Sequence, residues 1–284
     1  MAEIMKGAAV ADAICAALAK DVKQLNDKGL TPTLAIVRIG ENSGDMAYER
    51  GAIKRAEKVG VHIKSCALPA DISEEEFLDT LSEVCRDDSV HAVLMMRPLP
   101  AHIDDARARA VIPAPKDVDG CTDISMAGVF TGADIGYPPC TAAAAMEILH
   151  HYGVDPCGKR AVVIGRSLVI GKPVAMMLMK ENATVTNCHT KTKDVAALAR
   201  EADILIAAAG KLRSVTDDYI KPGQVVIDVG INWDEDKGGI AGDVDFDSAE
   251  KVAGAITPVP GGVGSVTSSI LMKHTVDAAK KSLK

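Results

Sequence analysis

The chain is 284 residues long, 48% hydrophobic and 25% charged, with a formal net charge of −7. That length accommodates two domains, each able to bury its own core, and the acidic balance excludes general nucleic-acid binding, which needs a basic face. No run is long and apolar enough to span a bilayer, so a soluble protein without a membrane partner is expected.

With one Trp, four Tyr and three Phe, the cores must be built from Ala, Val, Ile, Leu and Met. The seven cysteines (15, 66, 85, 121, 140, 157 and 188) stand singly, without a C-x-x-C pair. They read as reduced thiols in a cytoplasmic protein rather than as a disulfide or zinc framework. The seven histidines are equally scattered, which argues against a metal enzyme.

At the start, Val10, Ile14, Leu18, Val22 and Leu25 recur at helical spacing, predicting an amphipathic helix and not a signal peptide. Gly29 and Pro32 punctuate, and 33–39 reads as a buried strand. The loop GENSGD leads into a helix over 46–59, closed by Gly60. A second strand is expected over 61–68, and Ser73 with Glu76 forms a capping box for a helix to about Arg86. A third strand, 90–96, is stopped by Arg97-Pro98-Leu99-Pro100, and a short helix begins near Asp104. The loop IPAPKDVDGC that follows is too irregular to belong to a core.

Thr141 reads as the N-cap of a helix through Tyr152. Strand 161–164, helix 174–180, strand 183–187, helix 193–200 and strands 203–208 and 224–229 come next, with a last helix from about Ser265. This alternation implies an α/β protein with a parallel sheet covered on both faces. The boundary falls near Cys140. One domain comprises 1–139 plus 266–284, the other 140–265, and the ligand cleft is expected between them.

The stretch AVVIGRSLVIGKP (161–173) has the grammar of a strand, a tight turn and a helix whose N-terminus faces an anion. It departs from the dinucleotide fingerprint: Ser167 stands at the second glycine and Gly171 comes one residue late. An NAD site places a carboxylate near the end of the next strand. Here that segment reads Asn187-Cys188-His189-Thr190-Lys191, with no acid. The hydroxyl of Thr190, the charge of Lys191 and Arg166 in the loop favour a 2′-phosphate, hence NADP. Polar residues in a solvated loop would give the same letters. Further on, DVGIN (228–232) and PVPGGVG (258–264) offer glycine backbone that a flat ligand can approach, though either alone could be an ordinary turn.

One ordered set of motifs is more specific: RPLP (97–100), PKDVDG (115–120), PCT (139–141), GRSLVIGKP (165–173), CHTKT (188–192), DVGIN (228–232) and ITPVPGGVG (256–264). In these the chain resembles, over essentially its whole length, the methylenetetrahydrofolate dehydrogenase/cyclohydrolase enzymes. The resemblance implies a homodimer of two α/β domains, the second Rossmann-like and binding NADP, with tetrahydrofolate derivatives in the cleft. It implies Gly165, Arg166, Ser167, Gly171, Thr190 and Ile231 as cofactor contacts. It also implies Tyr48, Met96, Pro98, Asp119 and Gly262 as substrate contacts, with Tyr48 and Asp119 catalytic. Tyr48 offers the pterin a flat face, and Asp119 can accept hydrogen bonds from the amino-pyrimidine edge. Without the family, Tyr48 reads as a helix residue covering the core and Asp119 as a turn residue.

Hydride transfer from the methylene carbon needs positioning rather than a strong base. Hydrolysis of the methenyl cation needs an activated water, and the family uses a Lys four residues after the Tyr. In this chain that position is Ala52; the family's Gln aligns with Met96 and its Ser with Asp45. Lys54 lies about 200° around the helix from Ala52. Arg55 and Arg97 carry a guanidinium, which does not deprotonate. Dehydrogenase activity is therefore expected, with weak or absent cyclohydrolase activity. The alternatives are another two-domain NADP dehydrogenase, acting on a shikimate-like acid, or a regulator that binds folate and NADP without turnover.

Overall fold

The structure, a computed structural model, describes residues 1–283. Its elements begin β1 (Glu3–Ile4), α1 (Gly7–Asn26), β2 (Thr33–Ile39), α2 (Ser43–Val59), β3 (His62–Leu68), α3 (Glu74–Arg86) and β4 (Ala92–Met95). Next are α4 (Asp105–Val111), α5 (Asp123–Thr131), α6 (Cys140–His151), β5 (Arg160–Ile164), α7 (Gly171–Lys180), β6 (Thr184–Cys188) and α8 (Val195–Glu201). The chain continues through β7 (Ile204–Ala207), β8 (Val225–Asp228), β9 (Asn232–Asp234), β10 (Gly239–Ala241), α9 (Phe246–Ala249), β11 (Ala255–Ile256) and α10 (Gly264–Lys281). Two compact units result: Met1–Asp12 with Thr141–Thr267, and Ala13–Cys140 with the chain from Ser268 on.

The 13–140 unit is built on a parallel sheet in the order β3-β2-β4. Central β2 is buried from Thr33 to Val37, as a near-continuous apolar run requires. Ala35, Val37, Val93 and Met95 pack with Phe77, Leu81, Val84 and Cys85 of α3. The Ser73–Glu76 capping box opens that helix. Helix α2 starts at Ser43, earlier than expected, because the Asn42 side chain accepts the Gly44 and Asp45 N–H groups at 2.8 and 3.3 Å. It ends at Gly60, whose φ of 85° is the left-handed cap that glycine adopts freely.

The loop 112–121, expected outside the core, is partly inside it. Asp117 and Val118 have no exposed surface, and Asp117 forms a parallel bridge with Val93. Irregular backbone can be buried only if its polar groups find partners. The Asp117 carboxylate provides them, accepting the Cys121 and Thr122 N–H groups at 3.0 and 2.8 Å. Helix α5 follows without a sequence expectation, its Ile124 and Phe130 exposed rather than aligned on a buried face. Helix α6 includes Cys140, so Thr141 lies inside it and is not its cap.

The 141–267 unit carries a six-stranded parallel sheet in the order β1-β11-β8-β7-β5-β6. Strand β5 has β6 on one side and β7 on the other. The strand order reverses there, where doubly wound sheets open a crevice. Val162, Ile164, Leu205, Ala207, Val226 and Ile256 belong to one apolar cluster of this unit. Residues 1–12, read from sequence with 1–139, group here because β1 adds an edge to β11. No helix of the described residues is long and apolar enough to cross a membrane.

Candidate functional site

The turn after β5 is defined by backbone proximity. Gly165 has φ 128°, and a Cβ there would meet Ala208 O at 2.1 Å. A Cβ on Gly171, at the start of α7, would meet Gly165 O at 2.3 Å. Asn187 of β6 fastens the turn, donating from Nδ2 to Gly165 O at 2.7 Å and to Val163 O at 3.1 Å. Ser167 closes it, accepting the Ile170 N–H at Oγ and the Lys172 N–H at its carbonyl. Only glycine lets the turn lie this close to β7 and α7.

A cavity of about 520 Å³ opens at this end of the sheet. Gly165, Arg166, Ser167, Thr190 and Ile231 all line it, while Gly171 supports the turn from behind. Five of the six expected cofactor contacts thus share one surface. Sequence reasoning missed His189, Asp243 and the run Ala208-Ala209-Gly210, which line the same cavity. Three small residues after a strand were the available signal for that run. The His189 ring accepts the Lys191 N–H at Nδ1, 3.1 Å away, so its neutral form carries its proton on Nε2.

The acids here are already engaged. Asp243 accepts the Gly210 and Lys211 N–H groups at 2.8 and 3.0 Å and Asn232 Nδ2 at 2.9 Å. Behind it, Asp228 accepts the N–H groups of Gly230, Asp243 and Val244 at 2.9–3.1 Å. Burial pushes the Asp228 carboxyl up to about 6, and those three donors restrain the rise. A glycine cradle, a helix N-terminus, one guanidinium and a satisfied Asp243 fit a dinucleotide with an added phosphate better than one whose ribose needs a free carboxylate.

The expected substrate contacts divide between the units. Tyr48, Met96, Pro98 and Asp119 belong to the 13–140 unit and Gly262 to the 141–267 unit. Tyr48 is half-buried on α2 and Ala52, one turn on, has no exposed surface. Met96 is buried and donates its N–H to Val37 O at 2.8 Å, and Pro98 is exposed. Gly262 is buried, its carbonyl at the place a Gly7 Cβ would fill. Lys54 is exposed, as expected, while Arg55 donates to Ser268 Oγ at 3.4 Å and Cys15 Sγ at 3.6 Å.

Asp119 is half-buried beside the Cys140 thiol. Burial pushes its carboxyl up to about 6 and Asp117 adds to the rise, while the Cys140 thiol and Arg97 oppose it. Burial and the two carboxylates push the Cys140 thiol well above its usual range, so it stays a neutral donor. Its Sγ also reaches Val118 O at 3.3 Å. His274 Nδ1 meets the same carbonyl at 2.8 Å, which assigns Nδ1 the proton.

Burial pushes His274 down to about 4 from an ordinary 6.5. Its folded pKa is the lower one, so its contribution is complete above pH 6.5 and is lost as pH falls toward 4. Urea unfolding at pH 7 and 4.5 is expected to show an acid-linked loss of about 2–3 kcal/mol from this group. His274→Asn keeps a donor for Val118 O but cannot titrate, and its loss over that interval should be smaller by that amount. Equal losses in the two proteins would refute the assignment.

Comparison with known proteins adds three findings. The family model for the tetrahydrofolate dehydrogenase/cyclohydrolase catalytic domain matches residues 5–119, and that for the NAD(P)-binding domain of the same enzymes matches 139–283. The bifunctional protein FolD of Alkaliphilus oremlandii is 49% identical over 280 residues, covering 99% of this chain and 98% of that protein. Among solved structures, the bifunctional enzyme FolD, a methylenetetrahydrofolate dehydrogenase/cyclohydrolase from Campylobacter jejuni, superposes with a TM-score of 0.96 at 38% identity, covering 99% of each chain. The Trypanosoma brucei N5,N10-methylenetetrahydrofolate dehydrogenase-cyclohydrolase, complexed with NADP cofactor and inhibitor, gives 0.93 at 38% identity, covering 100% of this chain and 99% of that one.

Proposed function

The chain belongs to the tetrahydrofolate dehydrogenase/cyclohydrolase family, and from that premise we propose an NADP-dependent 5,10-methylenetetrahydrofolate dehydrogenase with little or no cyclohydrolase activity. The observation that carries the dehydrogenase is the single cavity lined by Gly165, Arg166, Ser167, Thr190 and Ile231 at the switch strand of the larger sheet.

When bound, NADP accepts hydride from the methylene carbon between N5 and N10 of the folate. The chain's own residues bind and orient. Gly165 and Gly171 clear space for the phosphates at the α7 N-terminus. Arg166 and Thr190 supply the charge and hydroxyl that recognise the 2′-phosphate. Ile231 gives an apolar wall that excludes water. Asp119 accepts the donors of the amino-pyrimidine edge, Tyr48 covers the pterin, and Met96, Pro98 and Gly262 complete the substrate contacts. The folate nitrogens stabilise the cation that hydride loss leaves, so holding the reacting carbon in place is the main demand on the protein.

Hydrolysis of that cation makes a further demand, a group that moves protons to and from water. Ala52 and Met96 cannot meet it, and Arg55 cannot deprotonate. The same reading carries a homodimer, by likeness to the family, and a cytoplasmic location, which suits seven free cysteines.

A steady-state assay with methylenetetrahydrofolate tests the dehydrogenase. Growth of the reduced-cofactor absorbance is expected with NADP, at a kcat/KM about tenfold or more above that with NAD, a discrimination worth at least ~1.4 kcal/mol. Binding of both ligands with no absorbance change would overturn the reading in favour of a folate- and NADP-binding regulator.

A further inference from the structure

On the reading that the cavity beside β5 takes NADP, we propose that Asp243 is a positioning residue for the nicotinamide half of the cofactor: its carboxylate ties together the two backbone walls that this half lies against. Asp243 follows β10 and is fully buried. Its Oδ2 accepts the Gly210 N–H at 2.8 Å and its Oδ1 the Lys211 N–H at 3.0 Å, both in the turn after β7. Oδ1 also accepts Asn232 Nδ2 at 2.9 Å, at the start of β9 on the chain leaving β8. Gly210 on one side and Val229 to Ile231 on the other line the cavity. One side chain thus grips both walls.

The strand order says which half of the cofactor these walls meet. Across the cavity it runs β8-β7-β5-β6. Thr190 lies beyond the end of β6 and Arg166 in the turn after β5, which puts the 2′-phosphate and the linking phosphates on that side. Neighbouring strands lie about 4.8 Å apart, so the ends of β6 and β8 are separated by about 14 Å. A dinucleotide laid across them with its 2′-phosphate at β6 brings its nicotinamide to the ends of β7 and β8. Ile231, 67% exposed, stands there as the apolar wall.

Asp243 is itself anchored. Its N–H donates to Asp228 Oδ1 at 3.1 Å, and the next N–H, of Val244, donates to Asp228 Oδ2 at 2.9 Å. Its carbonyl accepts the Val215 N–H at 2.9 Å, and Val215 and Val244 form a parallel bridge. The fit leaves no space for other side chains: a Cβ on Gly230 would stand 2.4 Å from Asp243 Oδ1, and one on Gly242 1.9 Å from Asp228 Oδ2. Three donors converge on the Asp243 carboxylate, which offers acceptors only. An amide at 243 would turn its own N–H groups toward one of them, and a buried donor facing a donor loses its hydrogen bond without regaining water. Both oxygens are engaged by the walls, so Asp243 acts through Gly210, Lys211 and Asn232 and not directly on the cofactor.

The test separates the two halves of the cofactor with adenosine 2′,5′-bisphosphate, which carries the 2′-phosphate and no nicotinamide. Its inhibition constant against NADP is measured beside kcat and the KM for NADP, in the wild type, Asp243→Asn and Asn232→Ala. In Asp243→Asn, kcat/KM for NADP is expected to fall about a hundredfold, the cost of misplacing a reacting group by about an ångström. Part of that loss falls on kcat at saturating NADP, because the nicotinamide is bound but held out of line. The inhibition constant should stay at its wild-type value, because the turns after β5 and β6 keep their contacts. Asn232→Ala frees the β8 wall alone and should move kcat/KM in the same direction by about tenfold, as the loss of one hydrogen bond does.

An unchanged kcat/KM in Asp243→Asn overturns the role of Asp243. So does a loss shared equally by adenosine 2′,5′-bisphosphate, since a general loosening of this unit would act on both halves. A loss that leaves kcat intact overturns it as well, for that is weaker binding without misplacement. Failure of the bisphosphate to compete with NADP in the wild type overturns the NADP reading of the cavity itself. If Asp243→Asn does not fold, Asn232→Ala gives the same readout from the other end of the clamp.

Discussion

The purified protein is expected to hydrolyse 5,10-methenyltetrahydrofolate about a hundredfold to ten-thousandfold more slowly than a family member with lysine at position 52, the usual cost of a missing general acid–base. Tyr48, Ala52, Ala56 and Val59 recur at helical spacing on α2, and the last three are buried. The side chain at 52 therefore faces inward, but a methyl group has no proton to move. The acid next to Tyr48 on the same helix does not replace it. Glu49 is buried, and its two oxygens are taken by Arg38 at 2.7 Å and Ser65 at 2.9 Å.

Following the decay of methenyltetrahydrofolate absorbance against the uncatalysed rate measures this. Brisk hydrolysis would sink the proposal while leaving the dehydrogenase untouched. Ala52→Lys combined with Met96→Gln supplies both missing polar groups and should raise hydrolysis by at least about tenfold. Ala52→Lys alone should gain less, because Met96 offers the water only a weakly accepting thioether.

Gly165→Ala is expected to weaken NADP binding by about a hundredfold or more, equivalent to at least ~2.7 kcal/mol, and to lower the melting temperature. A φ of 128° is costly for any residue with a Cβ, and the added carbon would stand 2.1 Å from Ala208 O and 2.9 Å from Ala208 C. Those are backbone atoms of the chain leaving β7, so relief requires separating the ends of two paired strands. The cavity between them would change shape with it. Gly223→Ala is the control, since its φ of 82° is also left-handed but nothing lies within 4 Å of the added carbon. That variant should lose only about 1 kcal/mol of stability and bind NADP normally. Calorimetric titration with NADP and a thermal melt distinguish the two; unimpaired NADP affinity in Gly165→Ala would refute the placement of the turn.

Much of the fold was legible because its signals are local. Strand β2 matches the apolar run at 33–39 residue for residue. The Ser73–Glu76 box and the Gly60 cap mark helix ends through contacts only a few residues apart. The site was legible to a similar depth. Gly165, Arg166 and Ser167 follow a strand and precede a helix, and Thr190 closes the next strand without an acid, so their sharing of one cavity could be anticipated from order along the chain. Asp45, Ala52 and Met96 were visible as departures from a family pattern, which identified them without saying what they touch.

The remainder depended on distance through space. Strand β1 is two residues long, and only its pairing with β11, about 250 residues away, makes it a strand at all. Asp117 looked like a loop residue until its carboxylate was seen to satisfy the Cys121 and Thr122 N–H groups beneath β4. Asn187 reads as an ordinary strand residue, yet its amide reaches across to Gly165 O and holds the phosphate turn. Nothing in the letters places Arg97 on Asp105. Periodicity, caps and glycine turns are encoded in bonds a few residues long, so they can be read in order. Which loop is buried and which acids find their donors depend on strand order and long-range packing, and those exist only once the chain has folded.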